Sequence, residues 1–202
     1  MKLRSITLLC MFSFAVSYMD AQTISMSKIA GKTVVGEKAD SPWEHPEGMY
    51  SDTTNTASCS LEPGQNSDNI ILSNFNFSIP EGATIKGLKI TLEKQGGTMG
   101  FTDKTVKLVV NGQPVGNNFA YNDYWRTETS RAIYGSETNL WGLKLSASDV
   151  NSPAFGIMLQ VANSDMGSTS AAQVGFVRVT VIYSTSNNEA ITVSMKGNGE
   201  NQ

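Results

Sequence analysis

The chain has 202 residues, of which 18 are acidic and 15 are basic, and its formal net charge is −3. Charged residues make up only 16% of the chain and form no basic cluster, which argues against nucleic acid or an anionic membrane surface as a partner. A chain of this length can bury the core of one domain without disulfides.

The first residues have the pattern of an export signal. Lys2 and Arg4 give a positive start, and Ile6 to Val16 form an uncharged, mostly apolar run. This run is shorter than the roughly 20 apolar residues that span a bilayer, but it is typical of the central region of a signal peptide. Small residues permit cleavage after Ser17 or after Ala21. We therefore predict a secreted protein without a membrane span, located outside the cell, on its surface or in the periplasm.

Cysteine and histidine usage argues against nucleophilic catalysis. Cys10 lies inside the apolar run, so Cys59 alone remains after processing and no intrachain disulfide is expected. Ala57 and Leu61 alternate with Cys59, which predicts a buried, inert thiol on the core face of a strand. The chain has one histidine, His45, to serve as a base. We predict no catalytic residues and a protein that is not an enzyme.

The processed chain is predicted to consist of short strands joined by turns. Its apolar residues mostly alternate, and no window of eleven residues carries the apolar stripe of a helix. A set of strands this large, without helices between them, predicts an all-β, two-sheet antiparallel β-sandwich that is jelly-roll-like. The predicted strands are Thr23–Ile29, Lys32–Val35, Thr56–Leu61, Asn69–Phe77, Thr84–Leu92, Lys104–Val110, a return strand from Gln113, Phe155–Val161, Val174–Tyr183 and Ile191–Met195.

Two local motifs define connections between these strands. Asn111-Gly112 predicts a tight hairpin, because both residues tolerate positive φ. Pro114 cannot donate a hydrogen bond to a sheet, so the return strand is expected at an edge. Ser146-Ala147-Ser148-Asp149 resembles a capping box and predicts one short helical turn before Pro153.

Three motifs carry a resemblance to a known module: FSIPEGATIKGLKITLEK (Phe77 to Lys94), YGSETNLWGLKLSASDVNSPAFGIMLQVA (Tyr134 to Ala162) and VGFVRVTVIY (Val174 to Tyr183). In this order they resemble a β-sandwich module of bacterial surface proteins and phage virion-associated proteins, mostly of unassigned function. The resemblance implies an extracellular, non-enzymatic module. The likeness runs from about Trp43 to Tyr183. Together with the export signal it gives the expected domains: signal peptide 1–21, N-terminal extension 22–42, β-sandwich 43–183, and tail 184–202 with one possible strand.

The best candidate for ligand binding is an aromatic loop after the predicted hairpin. It mixes flat rings with amide and charged groups, which suits sugars because their apolar faces stack on aromatic rings while polar groups fix the hydroxyls. The alternative is that Tyr124 and Trp125 begin a strand and pack inward. The predicted ligand-binding residues are Tyr121, Asn122, Asp123, Tyr124, Trp125 and Arg126.

No cofactor is predicted, although a calcium site remains open. The EF-hand pattern is missing, but loops of a sandwich can assemble oxygen ligands from distant segments. The alternative is ordinary turn chemistry. The residues concerned are Asp52, Asn55, Asp68, Asn69, Asn163 and Asp165.

These patterns favour a secreted, non-catalytic structural or adhesive surface module that contacts extracellular protein or glycan. A carbohydrate-binding module that uses the aromatic loop is the second hypothesis. The third is a subunit of a self-assembling extracellular fibre, because strand patterns at Thr23–Ile29 and Ile191–Met195 permit self-association through terminal strands.

A tail deletion tests the fibre hypothesis. We expect removal of residues 189–202 to lower stability but to leave a folded monomer, because a short tail meets its own sheet edge at high effective concentration. Thermal unfolding and gel filtration measure this. Fibres formed by the intact protein and abolished by the deletion, seen by electron microscopy, would establish the polymer instead.

Overall fold

The structure is a computed structural model that describes residues 22–50, 55–164 and 168–185. The predicted signal peptide and the predicted strand Ile191–Met195 lie outside these residues. The described residues confirm the predicted fold, an all-β, two-sheet antiparallel sandwich of the jelly-roll type with the predicted short helical turn, and they add one 3-10 helix. In this part of the chain, no helix has the length and apolar character needed to cross a membrane.

The strands alternate between two sheets along the chain. In chain order they are β1 (Gln22–Ile29), β2 (Lys32–Val35), β3 (Ala57–Leu61), β4 (Ile70–Ser73), β5 (Thr84–Gly96), β6 (Phe101–Val110), β7 (Gln113–Val115), β8 (Ser130–Gly135), β9 (Gly156–Asn163) and β10 (Ser170–Thr185). A 3-10 helix covers Pro46–Tyr50, and helix α1 covers Ala147–Asn151.

Sheet A has the order β1-β10-β5-β8, and β3 also pairs with β10. Sheet B has the order β2-β4-β9-β6-β7. Consecutive strands therefore lie in different sheets, except in the β6–β7 hairpin. Strand β10 pairs with β5 on one side, while β3 and β1 share its other side, β3 along Ser170–Val174 and β1 along Arg178–Thr185.

Residues that the sequence analysis assigned to the N-terminal extension 22–42 contribute a strand to each sheet. β1 pairs with β10 from Gln22 opposite Thr185 to Ile29 opposite Arg178, and β2 pairs with β4. Ile24 and Met26 pack against the core from β1. The physical reason is that β10 would otherwise present an open edge along this half of its length. The motifs that defined the resemblance begin later than the fold does.

Several strands differ from the predicted ones. Three are longer than predicted: β5 reaches Gly96, β6 begins at Phe101 and β10 begins at Ser170. β4 ends at Ser73 rather than Phe77, because Asn74 and Asn76 adopt positive φ values of 59° and 53° and turn the chain out of the sheet. Phe77 stays buried and packs edge-on against Phe155. β8 was not predicted: Tyr134 is its one buried residue, so its sequence lacks a clear alternation.

The two local motifs fold as expected. Asn111 and Gly112 have φ values of 52° and 76° and join β6 to β7, which carries Pro114 at the edge of sheet B. Ser146 caps α1 with its side chain, and the Asp149 carboxylate accepts a hydrogen bond from the backbone N–H of Ser146 in return. Both motifs shape connections that frame the core.

Trp141 closes the core beneath the predicted aromatic loop. Its ring is fully buried, and its indole N–H donates to the carbonyl of Leu88 at 3.1 Å. Phe119, at the start of the loop, lies with its ring 4.4 Å from that of Trp141. The loop is therefore attached to the core at Phe119.

Candidate functional site

The candidate site is the loop between β7 and β8, which crosses from sheet B to sheet A. Of the six predicted ligand-binding residues, the five other than Trp125 are exposed. Trp125 is 3% exposed and packs inward, as the alternative interpretation expected for it, whereas Tyr124 is 50% exposed. Neither residue begins a strand.

A buried carboxylate, Asp103, anchors this loop. Its Oδ1 accepts hydrogen bonds from Lys94 Nζ at 2.7 Å and from Trp125 Nε1 at 2.9 Å. Its Oδ2 accepts from the Tyr134 hydroxyl at 2.9 Å and from the backbone N–H of Tyr121 at 3.0 Å. The Asp103 side chain thus connects β5 and β8 with the loop, which it binds at Tyr121 and Trp125.

The local geometry of β6 places Asp103 in the interior. Phe101 and Asp103 both face inward, and the register with β9 then shifts between Asp103 and Thr105 before Val106 faces inward again. Such a bulge re-aims side chains next to functional sites. The sequence pattern alone gave no sign of this inward carboxylate, which sequence reasoning missed.

Asp103 forms a buried ion pair with Lys94, and the side chains of Trp125 and Tyr134 surround this pair. Only 8% of the Lys94 side chain and 2% of the Asp103 side chain are exposed. Burial lowers the pKa of Lys94, and the negative charge of Asp103 opposes this. The pKa of Tyr134 is raised, first by burial and then by the charge of Asp103, so its hydroxyl remains a donor. Lys94 Nζ also lies 4.8 Å from the centroid of the Trp125 ring, a favourable cation–π distance.

Backbone contacts hold the loop on both sides of Trp125. The Trp125 N–H donates to the carbonyl of Phe101 at 2.7 Å, and the carbonyl of Arg126 accepts from the Gly96 N–H at 2.8 Å. Together with the Tyr121 N–H on Asp103, these bonds fix the backbone before and after Tyr124. The Tyr124 side chain is therefore displayed on a rigid support.

The exposed side of the loop carries two tyrosines with different surroundings. Tyr121 stacks on Tyr134 with ring centroids 4.9 Å apart, and its hydroxyl donates to the carbonyl of Ile133 at 2.8 Å. Tyr124 instead borders an open depression of about 390 Å³, which is also lined by Met99, Trp125, Arg126, Thr127 and Glu128. An aromatic ring, a cationic group and an anionic group thus face one depression.

A second depression, of about 550 Å³, lies on sheet B and has a different lining. It contains no aromatic ring, so a sugar has nothing to stack on there. Its lining residues are Lys32, Val34, Ile71, Ser73, Asn74, Val109, Gly112, Pro153 and Ala154.

The residues considered for nucleophilic chemistry lie apart from the loop. Cys59 is fully buried, as predicted, and its thiol donates to the carbonyl of Ser41 at 3.5 Å. Burial raises the pKa of this thiol to about 11, so the reactive thiolate is scarce at neutral pH. His45 is exposed and contacts Glu47 at 3.2 Å.

Two of the residues considered for calcium hold neighbouring segments together through side-chain hydrogen bonds. Asp68 Oδ1 accepts from the Ala39 N–H at 2.6 Å, and Asn163 Nδ2 donates to the carbonyl of Leu61 at 3.1 Å. Asp52 and Asp165 lie outside the described residues. Within residues 22–50, 55–164 and 168–185, no three His, Cys, Asp or Glu side chains come close enough to hold a metal ion.

Comparisons with known proteins find similar structures but no similar sequences. No protein-family model matches the chain, and a search of curated proteins gives no match. A family 11 carbohydrate-binding module from Clostridium thermocellum, solved with a β-1,3-1,4-mixed-linked tetrasaccharide, is 13% identical over 76% of this chain and 94% of that one, with a TM-score of 0.39.

Two larger proteins contain a similar region. An arabinose-bound α-L-arabinofuranosidase is 10% identical over 77% of this chain, with a TM-score of 0.45, and the chain spans about a quarter (24%) of its length. The enzymatically active domain of tailspike protein 4 from bacteriophage CBA120 is 6% identical over 77% of this chain and 19% of that one, with a TM-score of 0.38. At these identities the similarity concerns the fold and assigns no ligand.

Removal of the negative charge of Asp103 should destabilise the protein strongly. We expect Asp103→Asn to lower the free energy of unfolding by about 3–5 kcal/mol, because it leaves the buried Lys94 charge without its partner. Denaturant unfolding measures this. Asp123→Asn removes an exposed carboxylate from the same loop and should change stability little. Equal effects of both variants would contradict the anchoring role.

The burial of Cys59 predicts an inert thiol and a pH dependence of stability. The unfolded thiol loses its proton near the ordinary pKa of 9.0, whereas the folded one keeps it up to about 11. The contribution of this group to stability is therefore complete below pH 9 and is lost as pH rises toward 11. At pH 7 we expect a thiol reagent to label residue 59 only after denaturation, as read by peptide mass mapping. Rapid labelling of the native protein would contradict burial.

Proposed function

We propose that this protein is a non-catalytic, extracellular glycan-binding module that contacts its ligand through Tyr124. The observation that carries the proposal is a half-exposed aromatic ring on a loop that is fixed at Tyr121 and Trp125 by Asp103. A ring held this way keeps its orientation before the ligand arrives, so little conformational entropy is lost on binding. The carbohydrate-binding hypothesis therefore becomes the leading one.

The surroundings of Tyr124 suit a sugar. Arg126 and Glu128 line the same depression, and Asn122 and Asp123 are exposed beside the ring. The ring would stack on the apolar face of a saccharide, while donors and acceptors on its neighbours bind the hydroxyls. Trp125 contributes by packing inward and fixing the loop rather than by touching the ligand.

Location and chemistry support the same proposal. The positive, then apolar, N-terminal pattern favours export. The buried thiol of Cys59 has a raised pKa, which makes it unsuited to nucleophilic attack.

An adhesive role is compatible with glycan binding, because a module that binds glycan at the cell exterior also attaches its carrier to that glycan. The fibre hypothesis has weaker support, since β1 pairs with β10 of its own chain.

Substitutions at Tyr124 test the proposal. We expect Tyr124→Ala to abolish glycan binding without loss of stability, because half of the ring is already in solvent. Tyr124→Phe should retain binding, because it keeps the aromatic face. A glycan array with the wild-type protein identifies the ligand, and calorimetric titration with that ligand compares the variants.

A matched control removes another exposed apolar side chain. Val35, on edge strand β2 of the other sheet, is 46% exposed, and Val35→Ala should leave binding intact. Thermal unfolding of all variants verifies the fold. The proposal fails if Tyr124→Ala binds every glycan as the wild-type protein does, or if the wild-type protein binds none.

A further inference from the structure

Two arginines flank one phenylalanine on the outer face of sheet A. The guanidinium carbons of Arg131 and Arg178 lie 5.2 Å and 5.1 Å from the centroid of the Phe176 ring. Arg131 belongs to β8, while Phe176 and Arg178 belong to β10. This cluster, named here the arginine clamp, is separate from the Asp103 anchor on the inner face.

A bulge in β10 produces this arrangement. The register between β10 and β5 shifts between Val174 and Val177, both of which face the core. The extra residue at this point leaves Phe176 on the outer face, where a strand otherwise places polar side chains. Phe176 is nevertheless only 9% exposed, because the neighbouring side chains cover its ring.

The clamp carries two positive charges, of which the protein neutralises one. Arg131 lies with its Nε 3.5 Å from the Glu93 carboxylate, and 66% of its side chain is exposed. Arg178 has no carboxylate within ion-pair distance among the residues that the structure describes. The nearby Lys89 is paired with Glu137 at 3.0 Å. A cationic site is thus maintained on a chain whose net charge is −3.

The geometry of the clamp suits carboxylates. A guanidinium that stacks on a ring can still form bidentate hydrogen bonds to a carboxylate through the N–H groups at its edge. Arg131 already donates from Nε to Glu93, so its terminal N–H groups are the ones that remain for a ligand. Phe176 restrains both arginine side chains. Less side-chain conformational entropy is therefore lost when an anionic ligand binds them. The site is therefore prepared for a ligand that carries carboxylate groups.

One arginine of the clamp follows the aromatic loop closely along the chain. After Tyr124 and the depression, Thr129 donates to Gln95 Oε1 at 3.0 Å, and the chain enters β8 at Ser130, one residue before Arg131. The carbonyl of Thr127 accepts from Gln95 Nε2 at 2.8 Å, so this connection lies against β5. In the chain, Thr129 and Ser130 therefore join the depression beside Tyr124 to Arg131 of the clamp.

We propose that the ligand is an acidic polysaccharide, whose uronate carboxylates bind Arg131 and Arg178 while a sugar ring stacks on Tyr124. The inference rests on the proposed function, because it names the class of glycan that the Tyr124 loop binds. A polymer of uronic acids can bind both parts of the surface, because its sugar rings stack on Tyr124 and its carboxylates bind the arginines. A neutral glycan would leave the clamp without a ligand.

The test uses three polymers and the processed, secreted protein. The probes are polygalacturonate, the same polymer with its carboxyl groups chemically reduced to alcohols, and polyglutamate. The variants are Arg131→Gln with Arg178→Gln, Tyr124→Ala, and a charge-matched control, Lys104→Gln with Lys144→Gln, which removes two exposed cations away from the clamp. Affinity electrophoresis and calorimetry measure binding, and thermal unfolding verifies each fold.

We expect the wild-type protein to bind polygalacturonate at least about tenfold more tightly than the reduced polymer, since charge-assisted hydrogen bonds exceed neutral ones in strength. Added salt should weaken this preference. The double arginine variant should lose the preference for polygalacturonate and keep the weaker binding that depends on Tyr124. The double lysine control should bind as the wild-type protein does.

Each contrary outcome is distinguishable. If the wild-type protein binds polygalacturonate and its reduced form equally, the clamp does not bind carboxylates. The same follows if the lysine control loses as much affinity as the arginine variant. The proposed function is unaffected by either result. Polyglutamate bound as tightly as polygalacturonate, without dependence on Tyr124, shows an acidic peptide to be the ligand and overturns the inference. If Tyr124→Ala binds every polymer as wild type does, the proposed function itself fails.

Discussion

The hydrogen bonds to Asp103 are the constraint on which the rest of the site depends. A carboxylate between two sheets is stable only when its oxygens are satisfied, and here four donors satisfy them. Those donors come from β5, β8 and the loop between the sheets. The requirement of one buried charge therefore sets the position of Trp125 and, through it, the orientation of Tyr124. The stability of this region and the exposed position of Tyr124 depend on the same interaction.

The jelly-roll connections make this sharing possible. Because consecutive strands change sheets, β6 of sheet B places Asp103 against β5 and β8 of sheet A, and the loop between β7 and β8 closes over the pair. Strand β10 supports the opposite face: its inner residues fill the core, and its bulge turns Phe176 outward. The two candidate contacts with ligand thus arise from bulges in two central strands.

The sequence predicts features that depend on local pattern and fails where tertiary register decides. Alternation located most strands, and Asn111-Gly112 and Ser146 predicted the hairpin and the helix because their chemistry is local. β8 lacks alternation, since its partner strand rather than its own composition holds it in the sheet. Asp103 resembles any surface acid until the bulge after it turns the side chain inward. The aromatic loop could be located from composition, but the opposite roles of Tyr124 and Trp125 could not.

The hydrogen bond from Tyr121 to the Ile133 carbonyl has a consequence for solubility. β8 is the last strand of sheet A, and unpaired carbonyl and amide groups along such a strand invite pairing with a second copy. Tyr121 occupies one of these acceptors and lays its ring beside the strand. The loop that displays Tyr124 therefore also guards the sheet against edge-to-edge aggregation, a protection that matters most where many copies are crowded together on one surface.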